Sequence, residues 1–306
     1  SDLEKTIKNF QNIKVCIIGD IIVDEYISCD PLGMSQEDPT LVVTPIDKQI
    51  FLGGAGIVAA HASRLGAQVN IISVVGNDDN YHFVEKKFQE YNVSSSLFLD
   101  DSRPTTLKKR YRANNKTLLR VNQLKQFSIN EDLQNNIIQK FLSLVDDIDL
   151  LVLSDFNYGV LTKNLLEKIF EICNLKKIPY VADSQTSSQT GDIVKFSEPK
   201  LLTPTEKELR VGLKNNEDGL IYLTEKLRKS TKSEIIILKL GAEGSILHFL
   251  NEDKNVITER LPALNMYPID VAGAGDSLLI CSALSLITTK SPFISFLLGN
   301  LAAEYK

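Results

Sequence analysis

Residues 14–20 read KVCIIGD, an apolar run that does not alternate with polar residues. A strand with one wet face alternates. A strand covered on both faces does not, so residues 14–18 predict a central strand of a sheet flanked by helices. The chain around this run supports that reading. FLGGAGIVAAHASRLGAQ (51–68) predicts a helix that opens near Gly54 and stops at Gly66. Strand VNIISVVG, helix DNYHFVEKKFQEY and short strand SSSLFLDD follow. After residue 127 the same alternation resumes with helix SINEDLQNNIIQKFLSL, where Ser128 and Glu131 fit a capping box. Next come strand LLVLSDF, a helix after Thr162, strand PYVADSQ, the strand and short helix of PKLLTPTEKEL, and helix EDGLIYLTEKLRKS. SEIIILKLGAEGSILHF then gives two strands around a glycine turn, and a long apolar helix follows residue 275. Strands alternating with helices of this length predict an α/β fold with a mostly parallel sheet between two helical layers.

Two blocks break the alternation. Residues 25–51 hold short β-prone runs interrupted by Pro31, Gly33, Pro39 and Pro45, with no helical period. Residues 103–122, RPTTLKKRYRANNKTLLRVN, read as a hairpin turning at Asn114-Asn115. The two blocks are expected to pair as a small sheet, a lid on the main body. The basic run inside the second block is either a solvated hairpin or a wall facing an anionic ligand.

A formal net charge of -5, from 34 Lys+Arg against 39 Asp+Glu, makes nucleic acid a poor partner. Cys16, Cys29, Cys173 and Cys281 form no CxxC pair, so buried thiols are expected rather than a disulfide or metal site. SDLEKTIKNF is amphipathic and carries no signal core, and no apolar run reaches the length of a membrane span. A cytoplasmic enzyme is the expectation. Ser1 in place of Met points to processing or a cloning remnant. His61, His82 and His248 are scattered, and read as surface or packing residues.

Residues 270–277 read DVAGAGDS and sit between a strand-like stretch near Met266 and the apolar helix. Ligands of α/β sheets collect at such strand ends. Ala272, Gly273, Ala274 and Gly275 would offer free N–H groups at a helix start, an anion hole. Asp276 would repel a bound phosphate, but it makes sense as a base for an incoming hydroxyl, with Asp270 organising the loop. The alternative is a glycine-rich turn before a buried helix, with Asp276 as a cap. GxxxxGK[ST] and a GxGxxG after the first strand are both absent.

Four stretches, GD...VDEY, FLGGAGIVAAHASRLGA, LLTPTEKEL and DVAGAGDS, resemble in order and spacing the ribokinase-like (PfkB-type) carbohydrate kinases. The resemblance covers essentially the whole chain, residues 1–306, with lid inserts at about 25–51 and 103–122. Within the family the chain is most similar to the kinase domain of the ADP-heptose synthesis enzyme, through LVLSDFNYGVL and RPTTLKKRYRANNKTLLRVN. The resemblance implies a ribokinase-like three-layer α/β/α sandwich, ATP and Mg²⁺, and transfer of a phosphoryl group to a sugar or sugar phosphate. It further implies Asp276 as base and residues 272–275 as anion hole. Asp24, Gly53 and Gly54 match sugar-binding positions, and a sugar phosphate would meet the Lys108–Arg112 run, with Lys109 and Arg110 as its first candidates; alternation along a strand lets only one of the two face the cleft. Thr205 and Glu208 would organise Mg²⁺ through water, Lys239, Gly241, Glu243 and Gly244 would lie on the nucleotide side, and Asn300 near the adenine.

This chain departs from the family pattern at several positions. Ile57 stands where the family has Asn, so one contact to a sugar hydroxyl is lost. Ala272 and Lys239 replace Thr, Thr205 replaces Asn, and Tyr158 replaces a basic residue. Ile57, Thr205 and Ala272 together keep open a non-catalytic relative that binds sugar phosphate or nucleotide. The family continues past NLAAEYK beside the adenine, so a truncated or divergent chain is expected. TLVV and YIS suggest a partly apolar outer lid face, hence a homodimer through the lids.

Overall fold

The computed structural model describes residues 2–114, 116–186, 190–263 and 273–304. Two expected site residues, Asp270 and Ala272, lie outside them, as does the stretch around Met266. In chain order the first elements are α1 (Asp2–Asn9), β1 (Lys14–Gly19), β2 (Ile21–Met34), β3 (Leu41–Gly54) and α2 (Ala55–Arg64). Next come β4 (Gln68–Val75), α3 (Asp79–Glu90), β5 (Ser94–Leu99), β6 (Thr106–Ala113), β7 (Lys116–Gln123) and α4 (Glu131–Leu144). The middle of the chain gives β8 (Leu150–Asp155), α5 (Lys163–Lys176), β9 (Tyr180–Ser184), β10 (Leu201–Leu202), α6 (Glu206–Leu213) and α7 (Leu220–Thr231). The last elements are β11 (Ile235–Lys239), β12 (Ser245–Leu250), β13 (Val256–Leu261), α8 (Ala274–Thr289) and α9 (Pro292–Glu304).

The main sheet has nine strands in the order β13-β12-β11-β10-β9-β8-β1-β4-β5. Neighbours from β11 to β5 pair in parallel, and β12 pairs antiparallel with both β11 and β13. Alternate residues of each strand feed opposite layers. Val15 and Ile17 of β1, with Val181 and Ile237, pack toward α2, α8 and α9. Cys16 and Ile18, with Ala182 and Leu238, pack toward α4, α5 and α7. This two-sided burial is why KVCIIGD carries no polar alternation. All four cysteines are free and buried in these layers or under the lid. Among the described residues no helix is long and apolar enough to cross a membrane.

The second sheet is the lid, in the order β3-β2-β6-β7. β2 joins the two expected blocks by pairing in parallel with β6, Asp24 beside Lys108 and Tyr26 beside Arg110.

Two local expectations are corrected. Helix α4 is capped by Asn130, whose side-chain oxygen accepts from the Leu133 N–H at 2.9 Å. A Ser128 box would need Glu131 at the third helical position, but the helix begins at Glu131. Strand β13 was not expected from the sequence. It is a largely exposed edge whose VITERL mixes charge with β-branched residues, the usual protection of a sheet edge.

Candidate active site

The ends of β9, β10 and β11, the start of α8 and the inner face of the lid enclose one cavity of about 1300 Å³. It lies at the C-terminal edge of the parallel strands, where the fold leaves backbone and side-chain groups unspent.

The lid side is built on the Gly53-Gly54 pair. A Cβ on Gly53 would come within 2.2 Å of the Asp24 carboxylate. Gly54 sits at φ +57, and a Cβ there would meet the Asp20 carbonyl at 2.3 Å. That carbonyl accepts the Ala55 N–H, so the backbone turns into α2 directly over Asp20. The Asp20 carboxylate in turn accepts N–H groups of Phe156, Tyr158 and Val160, tying β1 to the loop after β8. Burial, with Asp155 adding, pushes this carboxyl up to about 6, although the Phe156 and Tyr158 amides pull it down. Asp20 is therefore an anchor of the site floor.

Asp24 points into the cavity and accepts from an Arg110 amine at 2.5 Å. Lys108, Arg110 and Arg112 line the same side, and Arg120 of β7 stands directly opposite Arg110. The Lys108 ammonium lies over the Phe156 and Tyr158 rings at 5.3 and 5.2 Å, and Arg110 over Tyr26 at 5.1 Å. Lys109 is a correction. The period of two in β6 turns it to the other face, where it and Lys48 flank Glu25 at 3.6 and 3.4 Å. Lys108 takes the place expected for Lys109. YIS is corrected likewise: Tyr26 and Ser28 line the cleft and Ile27 is buried, so the exposed apolar side chains of the two stretches are Leu41 and Val42 of TLVV. Ile57 lines the cavity beside the glycine pair and offers it an apolar surface.

Across the cavity α8 begins with Gly273 at φ +76 as N-cap. Its first helical bond is Ser277 N–H to the Gly273 carbonyl. The preceding N–H groups have no acceptor within the helix, as at any helix start. Asp276 is buried in this first turn, and one of its oxygens accepts from the Gln185 amide at 2.9 Å.

Lys239, at the end of β11, reaches the same place. Its ammonium bonds Asp183 at 3.0 Å, and a Cβ on Gly275 would come within 3.3 Å of it. Burial opposes the lysine charge, but Asp183, Glu208 and Asp276 together hold it above the usual lysine range. Burial pushes the Asp183 carboxyl upward, and Lys239 works against that shift. The second Asp183 oxygen is buried with no hydrogen-bond partner among the described residues.

Thr205 and Glu208 form a complete capping box at the start of α6, and the other Glu208 oxygen accepts the Thr186 N–H at 3.1 Å. Both residues line the cavity. Among the described residues no group of three His, Cys, Asp or Glu is arranged to hold a metal directly. Gly241, Gly244 and Asn300 also line the cavity. A Cβ on Gly244 would meet the Leu261 carbonyl at 2.0 Å, so only glycine fits there. The Asn300 amide is spent on Ser245 and the Phe296 carbonyl, which limits what it can offer a base. Glu243 is corrected: its exposed side chain faces Arg260 at 3.4 Å rather than the cavity.

Sequence reasoning missed Asp183, Gln185, Phe156 and Arg120, and it left open which face of the Lys108–Arg112 run meets the cleft. Their signal was available: they sit at parallel-strand ends or share the strand parity of Arg110.

The pfkB family carbohydrate kinases match this chain over residues 12–305. The chain belongs to this family. It is 32% identical over 295 residues to the bifunctional protein HldE of a Nitratiruptor species, covering 95% of this chain and 60% of that protein. HldE of Campylobacter jejuni subsp. jejuni serotype O:2 is 33% identical over 301 residues, covering 96% and 60%. The chain thus spans about 60% of the length of these curated relatives. Escherichia coli phosphofructokinase-2 in complex with fructose-6-phosphate superposes with TM-score 0.73 at 16% identity, over 95% of this chain and 92% of that one. Arabidopsis thaliana ribokinase complexed with ribose and ATP gives TM-score 0.71 at 16% identity, over 95% and 91%. These two show the shared fold. With the family goes ATP-dependent phosphorylation of a sugar or sugar phosphate.

Proposed function

We propose that this chain phosphorylates the anomeric hydroxyl of a heptose 7-phosphate. The supporting observation is a cavity with Asp276 and a helix start at one end and Lys108, Arg110 and Arg112 at the other. An acceptor that needs a base at one end and a cationic wall at the other is a sugar already carrying an anionic group. The resemblance of residues 103–122 and 151–161 to the heptose group, and the HldE relatives, favour heptose over fructose or ribose. Ile57 argues for altered recognition of one hydroxyl.

In the proposed reaction the sugar hydroxyl gives its proton to Asp276 as its oxygen bonds the γ-phosphorus of ATP. The bond from that phosphorus to the ADP oxygen breaks in line. The N–H groups at the start of α8, Gly273–Gly275 among them, hold the developing charge; we place Ala272 with them. Asp24, Gly53 and Gly54 seat the sugar, and Arg110 with Lys108 takes its phosphate. Gly241 and Gly244 shape the nucleotide side, with Lys239 beside the phosphates and Asn300 at the far wall. Mg²⁺, when bound with ATP, would neutralise phosphate charge. Glu208 and the unpartnered Asp183 oxygen suit its water shell better than direct ligation. Lid closure excludes water as a competing acceptor.

Exposed Leu32, Met34 and Ile46 near the lid tip support a homodimer formed through the lids. A cytoplasmic location fits four buried free thiols.

ADP release and ³¹P spectra with a panel of heptose 7-phosphate, fructose 6-phosphate and ribose test the reading. Turnover highest with heptose 7-phosphate supports it. Binding without turnover of any sugar would establish a non-catalytic relative instead.

A further inference from the structure

We propose that Lys239 is a resident cation of the transfer site, held by Asp183 against the start of α8, where it takes up phosphoryl charge that a metal ion would otherwise carry alone. The inference rests on the kinase reading above. Its consequence is specific: the nucleotide binds this chain in its metal-free form as well.

The position of the ammonium is fixed from both ends. The Lys239 backbone bridges to Thr205, and its N–H donates to the Pro204 carbonyl at 2.8 Å, so the residue cannot slide along β11. Its side chain crosses to Asp183 of β9 at 3.0 Å and stops over Gly275. The charged groups facing it come from three elements: Asp183 from β9, Glu208 from α6 and Asp276 from α8. Three carboxylates around a helix start would repel a polyphosphate. One ammonium among them lowers that repulsion where the transferring oxygens would lie.

The chemistry of the pair fits this role better than a structural one. A buried ion pair contributes little net stability, because desolvation offsets its Coulomb attraction. An apolar pair of similar volume would hold β9 to β11 as well. Lysine also has three N–H donors. One satisfies Asp183, which uses a single oxygen, and the ammonium keeps donors for a phosphate oxygen. Lys239 lines the cavity, so an incoming phosphate reaches it without a rearrangement of the sheet. It keeps its proton throughout; the proton of the acceptor goes to Asp276. Lys239 is then a catalytic residue and Asp183 its positioning residue.

Calorimetric titration of ATP, once in EDTA and once with excess Mg²⁺, tests the proposal on wild type and Lys239→Met. The expected result is at least a ~10-fold rise in Kd for metal-free ATP and less than a ~3-fold rise for MgATP, with kcat at saturating MgATP down ~10-fold or more. Equal weakening of both forms, or none, would overturn it. Asp183→Asn serves if Lys239→Met does not fold. It leaves the ammonium charged but unheld, so metal-free ATP should still bind while kcat falls. Wild-type kcat in Asp183→Asn counts against the proposal. If wild type binds no MgATP, the kinase reading itself fails, and the role of Lys239 with it.

Discussion

Replacing Arg110 by Ala removes the inner cation of the lid wall. Arg110 bonds Asp24 at 2.5 Å, with side chains only 17% and 20% exposed, so the guanidinium is ordered before any ligand arrives. A charge-assisted hydrogen bond to a phosphate in a closed cleft contributes about 1.5–3 kcal/mol. The variant also leaves Asp24 without this partner, a carboxylate facing an anionic substrate. Both effects act in the same direction. KM for the sugar phosphate should therefore rise about 10- to 100-fold, a factor of 10 being about 1.4 kcal/mol. KM for ATP should stay within about twofold, since the proposed nucleotide side lies across the cavity. Lys109→Ala is the internal control. Its ammonium faces Glu25 on the far side of β6, so it should change KM for the sugar phosphate by less than about twofold. Steady-state kinetics with the best sugar phosphate decide it. An equal effect of both substitutions would refute the assignment of faces, and no effect of either would point to an unphosphorylated sugar.

Four further outcomes are expected. Asp276→Asn should fold and bind ATP but lose at least ~100-fold in kcat, and near-normal turnover at saturating substrates would remove Asp276 as the base. Gln185→Ala deletes the donor that favours ionised Asp276, so the acid limb of the pH–rate profile should move to higher pH; an unmoved limb rejects that positioning role. Arg228, through its hydrogen bonds, pulls the Glu225 carboxyl down to about 2 against its partial burial, helped by His248 and Lys229. A depressed folded value adds stability above the unfolded value near 4.5 that is lost as pH falls toward 2, about 2–3 kcal/mol here; urea melts of Glu225→Gln should show that acid slope flattened. Light scattering at tens of micromolar should give a dimer, and Ile46→Glu at the lid tip should give a monomer.

The layered fold was legible because burial on both faces leaves a direct mark: residues 15–18 of β1, 150–153 of β8 and 235–238 of β11 are all apolar and buried, and Thr162 caps its helix as its type suggests. Edges leave no such mark. β13 is written in mixed polar residues because one side of it meets water. The site divides along the same line. Gly53, Gly54 and Gly244 could be singled out because their backbone admits no Cβ, a constraint stored in one residue type. The side of a strand on which a cation lies is a property of register, and register is set by partners far away in sequence. Asp24 beside Lys108, and Arg110 opposite Arg120, fix which basic residues meet the cleft. The run KKRYR alone leaves two parities open. Lys239 and Asp183 are further still from local reading, since they are separated by 56 residues and joined only by the order of β9, β10 and β11. A substitution that looks disruptive in the sequence, a lysine entering a strand end beside the proposed phosphate site, becomes intelligible only when the sheet sets a carboxylate beside it.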